Sequence, residues 1–282
     1  MRFSTNREIR RRRSQQGQES NWKKRTSKIL LVFFLLFALV SGIAGTVYGV
    51  KKWMHSCSYF FISSIKVQGA SRLTKKDIVD FSGIKQGDNI FSVDLKAVSG
   101  RLNSHPWIKF AEVERRLPDT ILIRVDERQP VALARVNGTL FLVDKDGTCF
   151  KPLEESDAFS APVITGIGDE NVKNSGNIKG IPGVDSAKMA DALRIIKMSR
   201  AGVRALGYNN ISQIDFPDKQ EVVIYTADKA VPFHLDRRDI KHQFYRAEKI
   251  LFQLYNSGQY PRVVSVTVDY GKDMALARIK KK

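Results

Sequence analysis

The chain has 282 residues, of which 27% are charged, and its formal net charge at pH 7 is +18. It contains only two cysteines, Cys57 and Cys149, far apart in sequence. This excludes a disulfide-dense miniprotein and a cysteine-rich zinc domain. We expect both cysteines to be free thiols, with a disulfide, which an oxidising compartment would permit, as the alternative.

Residues 29–50 form an uncharged apolar run. As a helix the run spans roughly 33 Å, about the thickness of a bilayer's hydrocarbon core. We predict a transmembrane helix over residues 29–50. A cleaved signal peptide is the alternative, and small residues in 41–49 keep it open, but its apolar region is normally only about 7–15 residues long.

Residues 1–28 are strongly basic, whereas only Lys51 and Lys52 follow the apolar run closely. This asymmetry predicts a cytoplasmic N-terminus and places most of the chain on the opposite side of the membrane. The tail is poor in apolar residues, so we expect it to be disordered. Its basic cluster at residues 10–13 would set the topology, with binding of anionic lipid or nucleic acid as the alternative. Beyond the membrane, no basic stripe with interleaved aromatic residues indicates a nucleic-acid partner.

The segment after the membrane run has the order β-α-α-β-β. A strand is predicted at 61–67, followed by a short helix that Thr74 and Asp77 would cap together. Asp94 would cap a second helix, and two strands follow at 108–115 and 120–126. This is the element order of a polypeptide-transport-associated (POTRA) domain.

The remaining residues predict a second, mixed α+β domain. It contains two predicted helices, one capped by Asp185 and one by Asp239. Residues 152–183 are expected to be mainly loop. Strands, which we expect to build an antiparallel sheet, are predicted at 131–136, 140–143, 211–216, 221–226, 231–235, 263–270 and 275–279.

Several motifs in this order carry a specific resemblance. They are His105-Pro106-Trp107-Ile108-Lys109, Val113-x-Arg115-Arg116-x-Pro118-Asp119-Thr120-Ile121, Val125-x-Glu127-x-x-Pro130-Val131-Ala132 and Leu142-Val143-Asp144-x-x-Gly147-x-x-Phe150. Together they resemble the bacterial cell-division family FtsQ/DivIB. The resemblance implies a POTRA domain at 59–128 and an FtsQ-type β-domain at 129–282. It also implies a single-pass inner-membrane protein with a periplasmic C-terminus at the division septum.

The residues themselves predict no catalysis. The four histidines, His55, His105, His234 and His242, have no metal-ligand spacing. No phosphate-binding glycine loop or nucleophile elbow is present. We therefore predict a binding scaffold with no cofactor and no metal. The resemblance implies a divisome scaffold that links early and late division proteins through FtsB and FtsL. The alternative is a POTRA-bearing chaperone or transport component for outer-membrane polypeptides, and a membrane-anchored hydrolase comes third.

Two surfaces are candidates for binding. The C-terminal strands could accept a partner strand, because a terminal hairpin often lies at a sheet edge. There the sequence resembles the late strand of the family, in which a tyrosine and small residues contact FtsB. This predicts a partner site of Val266, Val268, Tyr270, Gly271, Ala275 and Ala277. Tyr270 could instead be a satisfied tyrosine of the folded core.

The second candidate surface lies on the POTRA domain, where the resemblance implies a role in recruitment to the division site. Arg72, Lys75 and Lys76 are its candidate residues, with a merely solvated face as the alternative. Trp107 opens an apolar strand, and we expect it to belong to the core rather than to a binding site.

Overall fold

The computed structural model describes residues 5–157, 159–168, 184–201, 205–268 and 275–280. The chain divides into two compact units. One comprises residues 1–68, 79–99 and 113–123, and the other comprises residues 69–78, 100–112 and 124–282. The predicted domains, 59–128 and 129–282, are continuous in sequence, whereas these two units are each made of several segments. The predicted domain bounds therefore stay a prediction.

The first helix, α1 (Thr5–Ser56), is much longer than the apolar run. Within its segment Leu30–Ser56, an 18-residue window has a mean hydropathy of 2.5, and the segment is long and apolar enough to cross a membrane. The expectation of a disordered basic tail was wrong, because the helical backbone begins at Thr5. Arginine, lysine, glutamine and glutamate are good helix formers, and extending an existing helix avoids the cost of nucleation.

The POTRA elements follow in the predicted order. They are β1 (Ser64–Gln68), α2 (Lys75–Ser82), α3 (Leu95–Asn103), β2 (Ile108–Arg116) and β3 (Thr120–Glu127). The three strands form one sheet in the order β1-β3-β2.

The predicted helix caps of this segment are present. The Thr74 hydroxyl accepts a hydrogen bond from the Asp77 amide, while the Asp77 carboxylate accepts one from the Thr74 amide. Asp94 accepts bonds from the amides of Lys96 and Ala97 at the start of α3. These bonds satisfy amide groups that the first helical turn leaves without partners.

The part of the chain after β3 contains a second sheet. Among the described residues it has nine strands, in the order β12-β11-β10-β9-β8-β7-β4-β5-β6. Its strands are β4 (Pro130–Val136), β5 (Thr139–Asp144), β6 (Cys149–Pro152), β7 (Val163–Thr165), β8 (Ile211–Asp215), β9 (Glu221–Thr226), β10 (Pro232–Asp236), β11 (Val263–Thr267) and β12 (Leu276–Ile279).

This sheet is mixed rather than wholly antiparallel. The pairs β4–β7, β7–β8 and β10–β11 are parallel, and each is joined by a long connection rather than a hairpin. The expected loop at 152–183 contains β7, an interior strand of the sheet that lies between β4 and β8. Three residues are too few to show an alternating pattern, so sequence periodicity could not identify this strand.

Two helices, α4 (Ser186–Ser199) and α5 (Ile240–Asn256), contribute to the hydrophobic core of this sheet. Asp185 caps α4 and Asp239 caps α5, as predicted. The predicted apolar stripe of α5 is buried in full, namely Ile240, Phe244, Ala247, Leu251 and Leu254. The stripe of α4 is buried at Met189 and Ile196, and Leu193 packs at its margin.

Candidate partner-binding edge

Strand β12 is the terminal strand of the nine-stranded sheet. It pairs antiparallel with β11, with Val266 opposite Ala277 and Thr267 opposite Leu276. Strand β11 in turn pairs parallel with β10. Among the described residues no strand lies beyond β12, so one side of its backbone is open to pairing with an added strand.

Strand β12 exposes two apolar side chains beside the charged Arg278. Leu276 is 46% exposed and Ile279 is 37% exposed, and Val264 on the neighbouring strand is also exposed. Leu276 and Ile279 are not among the candidate residues predicted from the sequence. A signal in the sequence could have identified them, namely apolar residues in a strand at the edge of a sheet. Native proteins usually place charged residues or proline at such an edge.

The predicted partner residues fall into three groups. Val266 and Val268 are fully buried, and their side chains belong to the core beneath the edge, so they offer a partner no side-chain surface. Ala275 is exposed, and Ala277 is half-buried against the core. Tyr270 and Gly271 lie outside the described residues.

A buried hydrogen-bond chain supports the start of β11. Tyr260 donates from its hydroxyl to Asp228 Oδ1 at 2.5 Å, and its oxygen lies 2.9 Å from Thr226 Oγ1. A carboxylate can only accept hydrogen bonds, so the Tyr260 hydroxyl donates a hydrogen bond to Asp228. Thr226 therefore donates to the Tyr260 oxygen. Burial, followed by the bond to Asp228, raises the pKa of Tyr260. The phenol therefore stays protonated and ties β11 to the turn between β9 and β10.

The predicted POTRA surface lies before and within the first turn of α2. Lys75 and Lys76 are exposed at the start of the helix. Arg72 is also exposed, but its guanidinium is engaged, with Cζ 3.7 Å from the ring centroid of Trp107 and Nη2 3.4 Å from Asp157 Oδ1. Trp107 itself is buried, as predicted, and its ring meets that of Phe150 edge to face at 5.2 Å.

Glu127 holds the loop that carries Arg72. Its carboxylate accepts hydrogen bonds from the Ser71 hydroxyl and from the backbone amides of Arg72 and Leu73, at 2.7–3.0 Å. Burial acts to raise the pKa of Glu127. The bonds from Arg72, Ser71 and Leu73 outweigh burial, and they hold the pKa below its usual value. Glu127 is therefore an anionic anchor for this loop.

Motif residues that carry the resemblance have structural partners. Arg115 donates to the carbonyl oxygens of Ile90 and Val93. Asp144 accepts from the amides of Asp146 and Thr148 and so closes the turn between β5 and β6. These motifs specify the fold, and the candidate edge lies outside them.

The acidic, histidine and thiol side chains of the described residues are the groups that could hold a metal ion or act as nucleophiles. No group of three or more His, Cys, Asp or Glu side chains among them is placed to hold a metal ion. His234 lies 2.7 Å from Glu221 across β9 and β10. Cys57 and Cys149 are free thiols, and burial raises the pKa of Cys149 to about 11, which makes it a poor nucleophile.

The fold defines a protein with a candidate membrane helix, a POTRA domain and a mixed α+β domain. Comparison with family models agrees: the FtsQ-type POTRA domain matches residues 60–128, and the C-terminal domain of cell division protein FtsQ/DivIB matches residues 132–270. The chain belongs to the FtsQ/DivIB family of bacterial cell-division proteins.

Individual relatives cover most of the chain. Cell division protein FtsQ of Geotalea daltonii is 28% identical over 86% of this chain and 84% of its own length. The protein of the same name from Syntrophotalea carbinolica is 33% identical over 71% of this chain and 68% of its own length. That of Geobacter sp. strain M21 is 30% identical over 77% and 76%, respectively.

Proposed function

We propose that this protein is a non-catalytic scaffold of the division machinery that binds FtsB and FtsL by strand addition at β12. Family membership supports the division role. The observation that carries the binding mode is the position of β12, which ends the sheet of the described residues and has exposed apolar side chains.

The proposal includes a topology. The N-terminus is cytoplasmic, α1 crosses the inner membrane once, and the POTRA domain (59–128) and β-domain (129–282) lie in the periplasm at the septum. Two observations support this arrangement: the charge asymmetry about the apolar run, and the one candidate membrane helix found among the described residues. Anchoring in one membrane raises the local concentration of partners, so individually modest contacts suffice for assembly.

Strand addition assigns different tasks to backbone and side chains. The backbone of β12 supplies hydrogen bonds that any extended partner segment could use, so these bonds give affinity without selecting the partner. The apolar side chains of Leu276 and Ile279 would select a partner strand with matching apolar positions. Val266 and Val268 would stabilise the edge by packing in the hydrophobic core. Tyr270 and Gly271 would extend the same contact surface as an aromatic anchor and a point of close backbone approach.

The test is binding of the full-length protein, in lipid nanodiscs, to the periplasmic segments of FtsB and FtsL. The double variant Leu276→Ser/Ile279→Ser should weaken binding by at least about tenfold, equivalent to about 1.4 kcal/mol. Tyr270→Ala should act in the same direction. The matched control is Phe252→Ser, which removes an exposed apolar side chain from α5.

Three results would count against the proposal. Unchanged binding by the β12 variants would move the interface elsewhere on the protein. An equal loss in Phe252→Ser would indicate non-specific apolar adhesion. No binding by the unmodified protein would favour a transport or chaperone role for the POTRA domain.

A further inference from the structure

A groove runs along α4, away from β12. It has a volume of about 440 Å³ and lies between α4, the first residues of β4 and the turn between β5 and β6. Its lining consists of Val131, Lys145, Ala190, Leu193, Arg194, Ile196, Lys197 and Arg200. Half of these side chains are apolar and half are cationic, and none is acidic.

The floor of the groove is apolar and well supported. Val131 and Ile196 are buried, and the Tyr208 hydroxyl donates to the Val131 carbonyl oxygen at 2.9 Å. The turn approaches the helix closely at Gly147, where a Cβ would lie 3.2 Å from Leu193 Cδ1. The floor therefore consists of packed elements.

The rim is a row of cations. Arg194, Lys197 and Arg200 follow each other at three-residue intervals on α4 and its C-terminal cap, so each step rises about 4.5 Å along the helix. Lys145 enters from the turn. Arg200 is held with Cζ 4.1 Å from the ring centroid of Tyr208.

Few acidic side chains pair with the cations of the rim. Arg194 lies 3.4 Å from Asp191, but the same carboxylate is also bound by Arg237 at 2.8 Å, in a better shielded pair. Within the described part of the chain, Lys145 and Lys197 form no ion pair with a carboxylate. The groove thus combines an apolar floor with positive charge that few carboxylates offset, which attracts an anion that also carries apolar groups.

We propose that this groove binds an acidic, amphipathic segment of a partner protein, with carboxylates on the rim cations and apolar side chains on the floor. A row of separated cations matches carboxylates spaced along a peptide, whereas a single phosphate headgroup would meet only one or two of them. A purely hydrophilic polyanion would leave the apolar floor unfilled. This site is independent of strand addition at β12, so either can fail alone.

The test uses full-length protein in nanodiscs of a zwitterionic lipid and a fluorescein-labelled peptide. The probe peptide carries glutamates at three-residue intervals with leucines between them. Fluorescence anisotropy should show saturable binding that weakens at least about tenfold in Lys145→Ala/Lys197→Ala. Both lysines are exposed, so the fold should persist. The matched control, Lys241→Ala/Lys249→Ala, removes two exposed lysines from α5 and should change binding by less than about twofold.

Two further peptides separate the contributions of the rim and the floor. Replacing each glutamate by glutamine, or each leucine by serine, should reduce binding by a similar factor if both parts of the groove are used. The proposal would be overturned if the two double lysine variants weakened binding equally, or if replacing the leucines of the peptide left binding unchanged. Either result would show that the peptide binds by general charge attraction. Binding of soluble short-chain phosphatidylglycerol without binding of the acidic peptide would overturn it in favour of a lipid site.

Discussion

Arg128 and Asp144 form a nearly buried ion pair, with Arg128 Nη1 2.6 Å from Asp144 Oδ2 and side chains only 15% and 3% exposed. The pair joins the segment between β3 and β4 to the turn between β5 and β6. Because Asp144 also accepts two backbone amides, its charge is compensated on several sides. Removing one partner from such a pair is costly, since the other charge remains buried.

We expect Arg128→Ala to lower the free energy of unfolding by about 3–5 kcal/mol. The measurement is urea unfolding of the full-length protein in detergent micelles, followed by tryptophan fluorescence. Arg116→Ala is the control, because Arg116 forms an exposed pair with Glu114 and should cost less than about 1 kcal/mol. Similar losses in both variants would show that the buried pair contributes no more than a surface pair.

Glu127 should make stability depend on acidic pH. Its folded pKa is lowered, so the stabilisation is present above the unfolded pKa of about 4.3 and is lost as pH falls through the folded value. We expect Glu127→Gln to cost about 1.5–3 kcal/mol at pH 7, the worth of hydrogen bonds to a charged group. Unfolding curves from pH 7 to pH 3 should show this difference shrinking.

The control for this pH dependence is Glu112→Gln, which neutralises a carboxylate in an exposed pair with Arg124. It should show little difference from the unmodified protein at any pH. If Glu127→Gln lowered the free energy of unfolding by the same amount at every pH, the loss would come from altered packing rather than from the missing charge.

Local signals in the sequence were sufficient for much of the fold. The caps at Thr74, Asp94, Asp185 and Asp239 were predictable because each acts on amides two or three residues away. The stripe of α5 was predictable because it repeats over four turns. The strand β7 was not, since its three residues are defined only by their neighbours β4 and β8.

For the candidate edge, local sequence signals carry less information than they do for the fold. A terminal hairpin correctly indicated a sheet edge, but Val266 and Val268 are buried and Leu276 and Ile279 are exposed. Which face of a short strand is covered depends on where the helices pack, and that information is not local. The same limit applies to Glu127, whose partners at residues 71–73 lie more than fifty positions earlier.

Three glycines give a graded prediction of backbone strain. Gly69 has φ +85° and an added Cβ would lie 2.1 Å from the Val125 oxygen, so Gly69→Ala should cost well over about 2 kcal/mol. Gly87 has φ +91° but open space around it, so its alanine variant should cost only about 1–2 kcal/mol. Gly100 lies inside α3 with open space, and Gly100→Ala should stabilise by about 0.5–1 kcal/mol. Thermal unfolding of the three variants tests the order, and equal effects would contradict it.

Tyr260→Phe should loosen β11 without leaving a large cavity. The change removes the hydroxyl that donates to Asp228 and accepts from Thr226, and we expect a loss of about 1–3 kcal/mol in unfolding free energy. Burial acts to raise the pKa of Asp228, and bonds led by that from Tyr260 outweigh it and lower the net value. The pKa of Asp228 should therefore rise in the variant, which NMR titration of its carboxyl carbon would detect.

The matched control is Tyr255→Phe, because Tyr255 contacts the same carboxylate from a more exposed position and at 3.3 Å. It should shift the pKa of Asp228 less and cost little stability. Since Tyr260 supports the strand on which β12 pairs, Tyr260→Phe should also increase hydrogen exchange in β11 and β12 relative to β4 and β5. Unchanged exchange at the edge would show that β11 is held by its apolar packing alone.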